Sequence, residues 1–442
     1  MILTEAISQL RQAIEGLRNI PELTAIRLEV PVSGRPSLNW LHTNRQLSTQ
    51  WWADRDRSMI RAGLGIADLV TGPYYTPIEA IADQMRTRLS HCDQFCYMGG
   101  IRFPSEFPIA TEWTGFGFYR FVLPLFEWVT HHKQSFLACN WVRKPYLPHN
   151  EQVSFILSLL DGLKFTPEPF RHSPRVLNRH DTPSHWEWLH RVAQVQTEIT
   201  SGTYQKLVPA RKTTFSLSGD IHPAHLLSRL EAQGDCEGVF QFILQSGPES
   251  GFVGISPERL YRRVGDQLYT EALAGTDARD QDPAQLLQRP NTRDEHFWVV
   301  KMLRDGLLPL SDATQFVSEP RVMTLPRVHH LYQPFQIRLK AGVSDGDILK
   351  ALYPTPAVAG YPVGAALDRI VDLDHFDRGL YSGIVGIWSP DEVHWAVAIR
   401  SAWVGPNRLE CYTGAGIVSA SVPEEEWEEL ESKLRPYVEV LA

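Results

Sequence analysis

The chain lacks several features that would define its class at once. Its 442 residues include only five cysteines, and these do not form two closely spaced pairs. The spacing therefore does not predict a zinc site, and it is typical of free thiols in a reducing compartment. No run of about 20 apolar residues occurs, and the N-terminal segment interleaves apolar residues with Glu and Arg. We therefore expect neither a membrane span nor a signal peptide, and we predict a cytoplasmic protein.

Positive charge is also scarce. The chain has 43 Lys and Arg residues against 51 Asp and Glu residues, a formal net charge of -8. A general nucleic-acid binder needs a basic face, so this class is excluded. There is no G-x-G-x-x-G after a strand and no G-x-x-x-x-G-K-[ST] motif, which excludes a Rossmann dinucleotide site and a P-loop. The 43% of hydrophobic residues is ordinary for a globular enzyme.

The chain does contain clear strand, hairpin and helix signals. Residues 184–201 have apolar positions at helical spacing and precede Gly202, a plausible helix stop. Strands are predicted from Lys206 onwards and at 252–256 and 260–264, with a hairpin turn at Gly265-Asp266. Later strands are predicted at 382–388, 393–401 and 408–413. Hairpins followed by helices indicate an α/β (α+β) fold with largely antiparallel sheets.

Two predicted helices carry acidic residues that are candidate site residues. One, predicted to be capped by Asn291, has Glu295 in its first turn. The other is predicted to begin at about Pro423, with Ser421 and Glu424 at capping-box spacing. Three charged residues of the second helix share one face: Glu426, Glu429 and Lys433.

Four distant segments place charged residues among small or apolar neighbours: 204–211, 256–276, 292–296 and 414–433. A buried charge without a partner is unfavourable by roughly several kcal/mol, so such residues need one another or a ligand. Lys206 is a candidate base, and its alternative is a strand-edge lysine in solvent. Glu258 is a candidate general acid, and its alternative is an ion pair with Arg259 or Arg262.

Glu295 and Glu429 are candidate ligands of a divalent cation. Two carboxylates from two helices suit Mg²⁺, which prefers hard oxygen donors and keeps some of its waters. The alternatives are a helix-start acid for Glu295 and a solvated helix face for Glu429. The other acids of the last helix, Glu424, Glu425 and Glu428, are assigned to the solvated face.

The order of these motifs decides between the alternatives. The chain resembles the chorismate-utilising enzymes, which include isochorismate, salicylate, anthranilate and aminodeoxychorismate synthases. The resemblance covers about residues 185–437 and rests on KLVPAR, SPERL, TEALAGT, RDEH, YPTPAVAGYP, IRSA and GAGIV…EEEWEELESK. The segments GLGIAD (63–68) and GGIRF…GFGFYRF look like the isochorismate synthases of menaquinone or phylloquinone biosynthesis.

The resemblance implies the anthranilate synthase component I-like fold, with two packed, largely antiparallel sheets, peripheral helices and a site in the cleft between them. Residues 176–442 would form the chorismate-binding catalytic region. Residues 1–175, which are poorer in motifs, would form the N-terminal part of the same compact domain.

The resemblance also implies a role for each matching residue. Lys206 would activate the attacking water, and Glu258 would protonate the departing hydroxyl. Glu295 and Glu429 would hold Mg²⁺ on a substrate carboxylate. The remaining substrate contacts would be Ala274, Gly275, Thr276, Arg400, Gly414, Ala415, Gly416 and Lys433, with His330 either a pocket residue or a packed core histidine.

Two positions favour water as the nucleophile. Ammonia-using anthranilate synthases carry Gln where Lys206 stands, and aminodeoxychorismate synthases carry a nucleophilic Lys where Ala274 stands. Tyr353 departs from the usual His, and we assign it no proton transfer. The resemblance therefore implies an Mg²⁺-dependent isochorismate synthase with chorismate as substrate and no glutamine amidotransferase subunit. The alternatives are a salicylate synthase, which also eliminates pyruvate, and a non-catalytic chorismate-binding subunit.

Overall fold

The computed structural model describes residues 2–105, 108–170, 174–247, 250–279, 282–316 and 319–442. In chain order the strands are β1 (Ala25–Pro31), β2 (Thr49–Ala53), β3 (Met59–Leu64), β4 (Asp68–Gly72), β5 (Tyr97–Ile101), β6 (Tyr119–Leu123), β7 (Phe126–His131), β8 (Gln134–Val142), β9 (Val176–Thr182), β10 (Lys206–Leu207), β11 (Ala210–Leu217), β12 (Phe240–Gly247), β13 (Ser250–Ser256), β14 (Arg259–Val264), β15 (Gln267–Ala278), β16 (Ser311–Phe316), β17 (Arg321–Thr324), β18 (Val328–Leu339), β19 (Gly360–Tyr361), β20 (Ile384–Trp388), β21 (Glu392–Val397), β22 (Ser401–Gly405) and β23 (Arg408–Gly414).

The helices are α1 (Leu3–Gly16), α2 (Leu38–Thr43), α3 (Ile78–Leu89), α4 (His149–Gly162), α5 (His185–Thr200), α6 (Pro223–Ala232), α7 (Pro283–Leu286), α8 (Pro290–Leu307), α9 (Asp345–Leu352), α10 (Val363–Asp374) and α11 (Pro423–Leu441). Short 3₁₀ turns lie at Leu17–Asn19, Thr111–Trp113 and Leu308–Leu310.

Two large sheets organise these strands. The first has 11 strands in the order β1-β8-β7-β3-β2-β12-β13-β22-β23-β11-β9. The second has 10 strands, β16-β18-β15-β14-β21-β20-β5-β6-β4, with β17 beside β18. The pairs β10–β19, β15–β18, β12–β13, β20–β21 and β22–β23 are all antiparallel. The predicted α+β class with largely antiparallel sheets is confirmed.

In each sheet the strands before residue 175 form one contiguous block and the strands after it form another, and a single strand pair joins the two blocks. In the first sheet β2 pairs with β12, so Trp52 lies opposite Phe242. In the second sheet β5 pairs with β20, so Gly99 lies opposite Gly386. The division at residue 175 stays a prediction.

A buried aromatic cluster lies between the two sheets. It contains Trp52, Phe242 and Phe252 of the first sheet, together with Met98 and Val385 of the second. Full burial of a large apolar side chain contributes about 1.5–3 kcal/mol, so this cluster holds the sheets face to face. The two packed sheets expected from the resemblance are confirmed.

Some local predictions hold and others are wrong. Helix α5 forms as expected, with a capping box between Ser184 and Glu187. The strand predicted from Lys206 is interrupted, because Pro209 has no N–H to donate and the Val208 N–H bonds to the Ala359 carbonyl at 2.9 Å. The chain therefore forms β10, a break at 208–209, and then β11.

The predicted helix caps are also wrong. Helix α8 begins at Pro290 with Arg289 as its N-cap, so Asn291 lies inside the helix. Helix α11 begins at Pro423 as predicted, but its N-cap is Val422 and no side chain caps it. The Ser421 hydroxyl instead accepts a hydrogen bond from the Val418 N–H at 3.1 Å. Ser421 is therefore used in the loop that precedes the helix.

Within the described ranges, every helix is too short or too polar to cross a bilayer. The five cysteines are free thiols, with Cys92 partly exposed and the other four buried.

Candidate active site

A cavity of about 440 Å³ brings the separate motifs together. Helices α8 and α11, strand β15 and the loop after β23 contribute to its wall. Among its lining residues are Thr276, Thr292, Glu295, Gly416, Glu426 and Glu429. Four of these, Thr276, Glu295, Gly416 and Glu429, are candidate site residues from the sequence. The cavity wall is strongly acidic.

Lys206 contacts Glu295 across this region. The Lys206 side chain is wholly buried, and its Nζ donates to Glu295 Oε1 at 2.9 Å. The backbone of Lys206 is held in place by the pairing of β10 with β19, in which Lys206 lies opposite Tyr361. The ion pair satisfies a charge that burial alone would disfavour. The alternative of a solvent-exposed strand-edge lysine is therefore wrong.

Gly416 allows this ion pair to form. A Cβ atom at this position would lie 2.5 Å from Glu295 Oε1 and 2.8 Å from Lys206 Cε. Leu207 and Ile417 exchange two backbone hydrogen bonds of 3.1 and 2.7 Å, which hold the loop against β10. Only glycine permits so close an approach, which explains why the GAG motif lies here.

Glu258 is a buried carboxyl in the connection between β13 and β14, with 4% of its surface exposed. Burial, with a smaller contribution from the Glu271 carboxylate, raises the pKa of Glu258 to about 8. The Lys206 ammonium opposes this shift, which places that charge close to the carboxyl. Thr355 Oγ1 donates to Glu258 Oε1 at 3.5 Å. At neutral pH this carboxyl therefore carries a proton that it can donate.

Helix α11 presents its charged face to the cavity. Lys433 forms an ion pair with Glu429, and its Nζ donates to the Gly414 carbonyl at 2.7 Å. This bond fastens the helix to the end of β23. Glu426 lies one turn earlier, and burial together with the Glu429 and Glu295 carboxylates raises its pKa to about 8.

Glu426 is a residue that the sequence interpretation did not include among the candidate ligands. Glu426 lies three residues before Glu429 and on the same helix face, so the sequence pattern alone could have identified it as a candidate ligand. What marks it as part of the site is its burial beside Glu295, which lies 131 positions earlier in the chain. That proximity is a tertiary contact.

The three carboxylates suit a hard cation. Glu295, Glu426 and Glu429 offer only oxygen donors, which Mg²⁺ prefers, and their repulsion would be relieved by a positive charge. Glu295 is ion-paired with Lys206, and Glu429 with Lys433. In the part of the chain that the structure describes, no three His, Cys, Asp or Glu side chains form a ready metal-binding group. The donor set therefore fits the ion in chemistry, while two of its three carboxylates, Glu295 and Glu429, are partnered by lysines.

Strands β15 and β18 form the part of the site around Thr276 and His330. Gly275 interrupts their register with φ of +82°, so that Thr276 lies opposite His330. Thr276 Oγ1 and His330 Nδ1 are 3.0 Å apart. Burial, followed by the charges of Arg400 and Lys433, lowers the pKa of His330 to about 3. The ring is therefore neutral, and its role in substrate binding stays a prediction.

Arg400 has the left-handed backbone conformation, with φ of +49°. Its carbonyl accepts hydrogen bonds from the Ile255 N–H at 3.0 Å and the Tyr437 hydroxyl at 2.7 Å. Burial lowers the pKa of Arg400, and the nearby Glu429 carboxylate opposes this effect. Arg400 therefore faces the same acidic wall as Lys433.

Two predicted contact residues are involved in packing. Ala274 is buried in β15. Ala415 is wholly buried, and its N–H donates to the Pro209 carbonyl at 3.4 Å. Tyr353, which stands where the resemblance predicts His, donates its hydroxyl to the Arg102 carbonyl at 3.0 Å. The hydroxyl is therefore used within the fold.

The chain is similar to known proteins along nearly its whole length. The chorismate binding enzyme family matches residues 9–442. The chain belongs to this family. A chloroplastic isochorismate synthase of Catharanthus roseus is 28% identical over 99% of this chain and 84% of its own length. An isochorismate synthase of Haemophilus influenzae is 35% identical over 58% of this chain and 60% of its own length.

Solved structures of family members share the fold. The menaquinone-specific isochorismate synthase of Escherichia coli superposes with a TM-score of 0.84 at 24% identity, over 98% of this chain and 100% of that one. Anthranilate synthase component I of Streptococcus pneumoniae superposes with a TM-score of 0.66 at 18% identity, over 88% and 91% of the two chains. The expected anthranilate synthase component I-like fold is confirmed.

Proposed function

We propose that the chain is an isochorismate synthase, which converts chorismate reversibly to isochorismate. Water attacks one ring carbon and the C4 hydroxyl leaves from another. The observation that carries this proposal is the pair formed by a buried Lys206 and a protonated Glu258 in one site of the family fold. A base and an acid on separate positions are what this exchange needs.

Each member of the pair has one task. Glu258 delivers its proton to the departing hydroxyl, which would otherwise leave as hydroxide. Lys206 takes a proton from the attacking water, for which its amine must first give up the proton that it shares in the ion pair with Glu295. Because the reaction is reversible, the same two groups exchange these tasks in the reverse direction. The low solvent exposure of both side chains limits competing proton exchange with bulk water.

The substrate is a dianion, and the site supplies positive charge and donors for it. Glu295, Glu429 and Glu426 would hold Mg²⁺, which neutralises a substrate carboxylate when it is bound. Arg400 and Lys433 would attract the carboxylates. Further contacts would come from Thr276 and from the backbone at 274–276 and 414–416, where glycine allows close approach.

No glutamine amidotransferase subunit is needed for this reaction, because water replaces ammonia. The presence of Ala274, where aminodeoxychorismate synthases carry a nucleophilic lysine, supports that choice. We expect the enzyme to act by itself in the cytoplasm and to supply isochorismate for menaquinone or phylloquinone synthesis.

Incubation of the purified chain with chorismate and Mg²⁺ tests the proposal. Isochorismate as the single product supports it. Salicylate together with pyruvate would instead assign the chain to the salicylate synthases. Absence of turnover by the isolated chain would indicate a non-catalytic chorismate-binding subunit. Repeating the assay with isochorismate as the starting compound checks reversibility.

A further inference from the structure

An arginine from the N-terminal part of the chain reaches the backbone beside Glu258. Arg55 follows β2, and its Nη1 donates to Glu271 Oε2 at 3.0 Å. Its Nη2 donates both to Glu271 Oε1 and to the carbonyl of Pro257, the residue before Glu258. The planar guanidinium can make these bonds at once because its donors have a fixed fork geometry.

The partner of this arginine holds the other side of Glu258. Glu271 lies in β15 with its side chain wholly buried, and its Oε1 accepts the N–H of Arg259 at 2.9 Å. The Pro257 carbonyl and the Arg259 N–H, which flank Glu258, are therefore both hydrogen-bonded to the same ion pair of Arg55 and Glu271. Pro257 and Arg259 are fixed by residues more than ten positions away from them.

A purely structural role does not account for this arrangement. A buried ion pair gains little over apolar residues of the same volume, because both charges lose their hydration. What an apolar pair cannot do is bind the Pro257 carbonyl and the Arg259 N–H together. We propose that Arg55 and Glu271 are positioning residues, which hold the backbone on both sides of Glu258 so that its carboxyl faces the departing hydroxyl. This inference rests on the proposed function.

The same pair also acts on Glu258 through its charges. The groups that face the Glu258 carboxyl are Glu271 of β15, Lys206 of β10, Arg55 and Thr355. The Glu271 carboxylate raises the pKa of Glu258, whereas the Arg55 guanidinium lowers it. Loss of the Glu271 charge therefore moves the pKa of Glu258 towards its ordinary value, and the acid loses its proton at a lower pH.

The first test is the variant Arg55→Lys, which keeps the positive charge but lacks the planar guanidinium group with its several donors. Lysine cannot bond to Glu271 and to the Pro257 carbonyl in the same geometry, so we expect kcat to fall about 10- to 100-fold with KM changed little. The matched control is Arg57→Lys, since Arg57 lies in the same loop and donates to the Cys236 carbonyl at 2.8 Å. The control should keep the kcat of the parent enzyme.

The second test is the pH profile of kcat/KM for Glu271→Gln. The alkaline limb, which reports the loss of the Glu258 proton, should move to lower pH than in the parent enzyme. A loss of stability without any change in the acid would not move this limb. Rescue of both kcat and the limb by Glu271→Asp would show that the charge itself is needed.

A double variant covers the case in which a single change prevents folding. In Arg55→Met/Glu271→Met both charges of the pair are removed together, and only the partly exposed Arg259 guanidinium, 3.7 Å from Glu271 Oε2 in the parent, loses this carboxylate. We expect a folded protein by circular dichroism with kcat reduced about 10- to 100-fold. A parental kcat in this variant, or in Arg55→Lys, would overturn the inference. An inactive parent enzyme would instead overturn the proposed function, so the two failures are distinguishable.

Discussion

Replacing Glu258 by Gln should make the protein more stable at high pH and nearly inactive. The substitution keeps the size of the side chain and lets its oxygen still accept from Thr355 Oγ1. It removes the ionisable group, whose ordinary pKa of 4.5 is raised to about 8 in the folded protein, mainly by burial. Stability and activity therefore change in opposite directions.

The sign of the stability effect follows from proton binding. Between pH 4.5 and about 8 the folded protein keeps the Glu258 proton, while the unfolded chain has lost it. The folded state then binds more protons, so its stability falls as pH rises through this window. The difference between 4.5 and about 8, at about 1.36 kcal/mol per pH unit, gives an upper limit of about 5 kcal/mol. Glutamine has no such dependence.

Urea unfolding of the parent protein and of Glu258→Gln at pH 5 and pH 8.5 measures the effect. We expect similar free energies of unfolding at pH 5 and a clear advantage for the variant at pH 8.5. The control is Glu237→Gln, the same change at an exposed position. Turnover by Glu258→Gln should be about 10² to 10⁴ lower at either pH, the usual contribution of a general acid. Equal pH dependence of stability in the parent and variant, or near-full activity, would refute the reasoning.

Four further substitutions test other parts of the site. Lys206→Ala should lower turnover by about 10² to 10⁴ with little change in chorismate affinity, and near-full activity would place the base elsewhere. Lys206→Gln supplied with ammonia should give an amino product, detectable by mass spectrometry. Glu295→Ala should raise both the Mg²⁺ requirement and the KM for chorismate, and an unchanged Mg²⁺ titration would exclude it as a ligand. Tyr437→Phe removes the hydroxyl bonded to the Arg400 carbonyl, so unfolding should become easier by about 1 kcal/mol, and unchanged stability in urea would contradict this.

Much of the fold was predictable because its signals are local. Residues 184–201 carry a helical apolar pattern and a capping box, and α5 forms there. Gly265-Asp266 lies between two apolar runs, and β14 and β15 form the expected hairpin. The helix that begins at Pro423 needs no N–H at its first position, so proline marks its start. Such patterns act over a few residues and do not depend on the rest of the chain.

The local signals were wrong where a competing contact was stronger. The Ser421 hydroxyl bonds to the Val418 N–H in the preceding loop, so it does not cap α11. The Val208 N–H bonds to Ala359 beside Pro209, so the strand from Lys206 is interrupted. In both cases the decisive partner lies outside the pattern that was used for the prediction.

The chemistry divides in the same way between sequence and structure. The sequence motifs specify the types and the order of four site residues: Lys206, Glu258, Glu295 and Glu429. This order also identifies the family. The ion pair of Lys206 with Glu295, the burial that keeps Glu258 protonated and the presence of Glu426 beside both metal-ligand candidates arise only on folding. The reason is physical: a pKa or an ion pair depends on which groups lie within a few ångströms, and long-range packing of two sheets and two helices decides that.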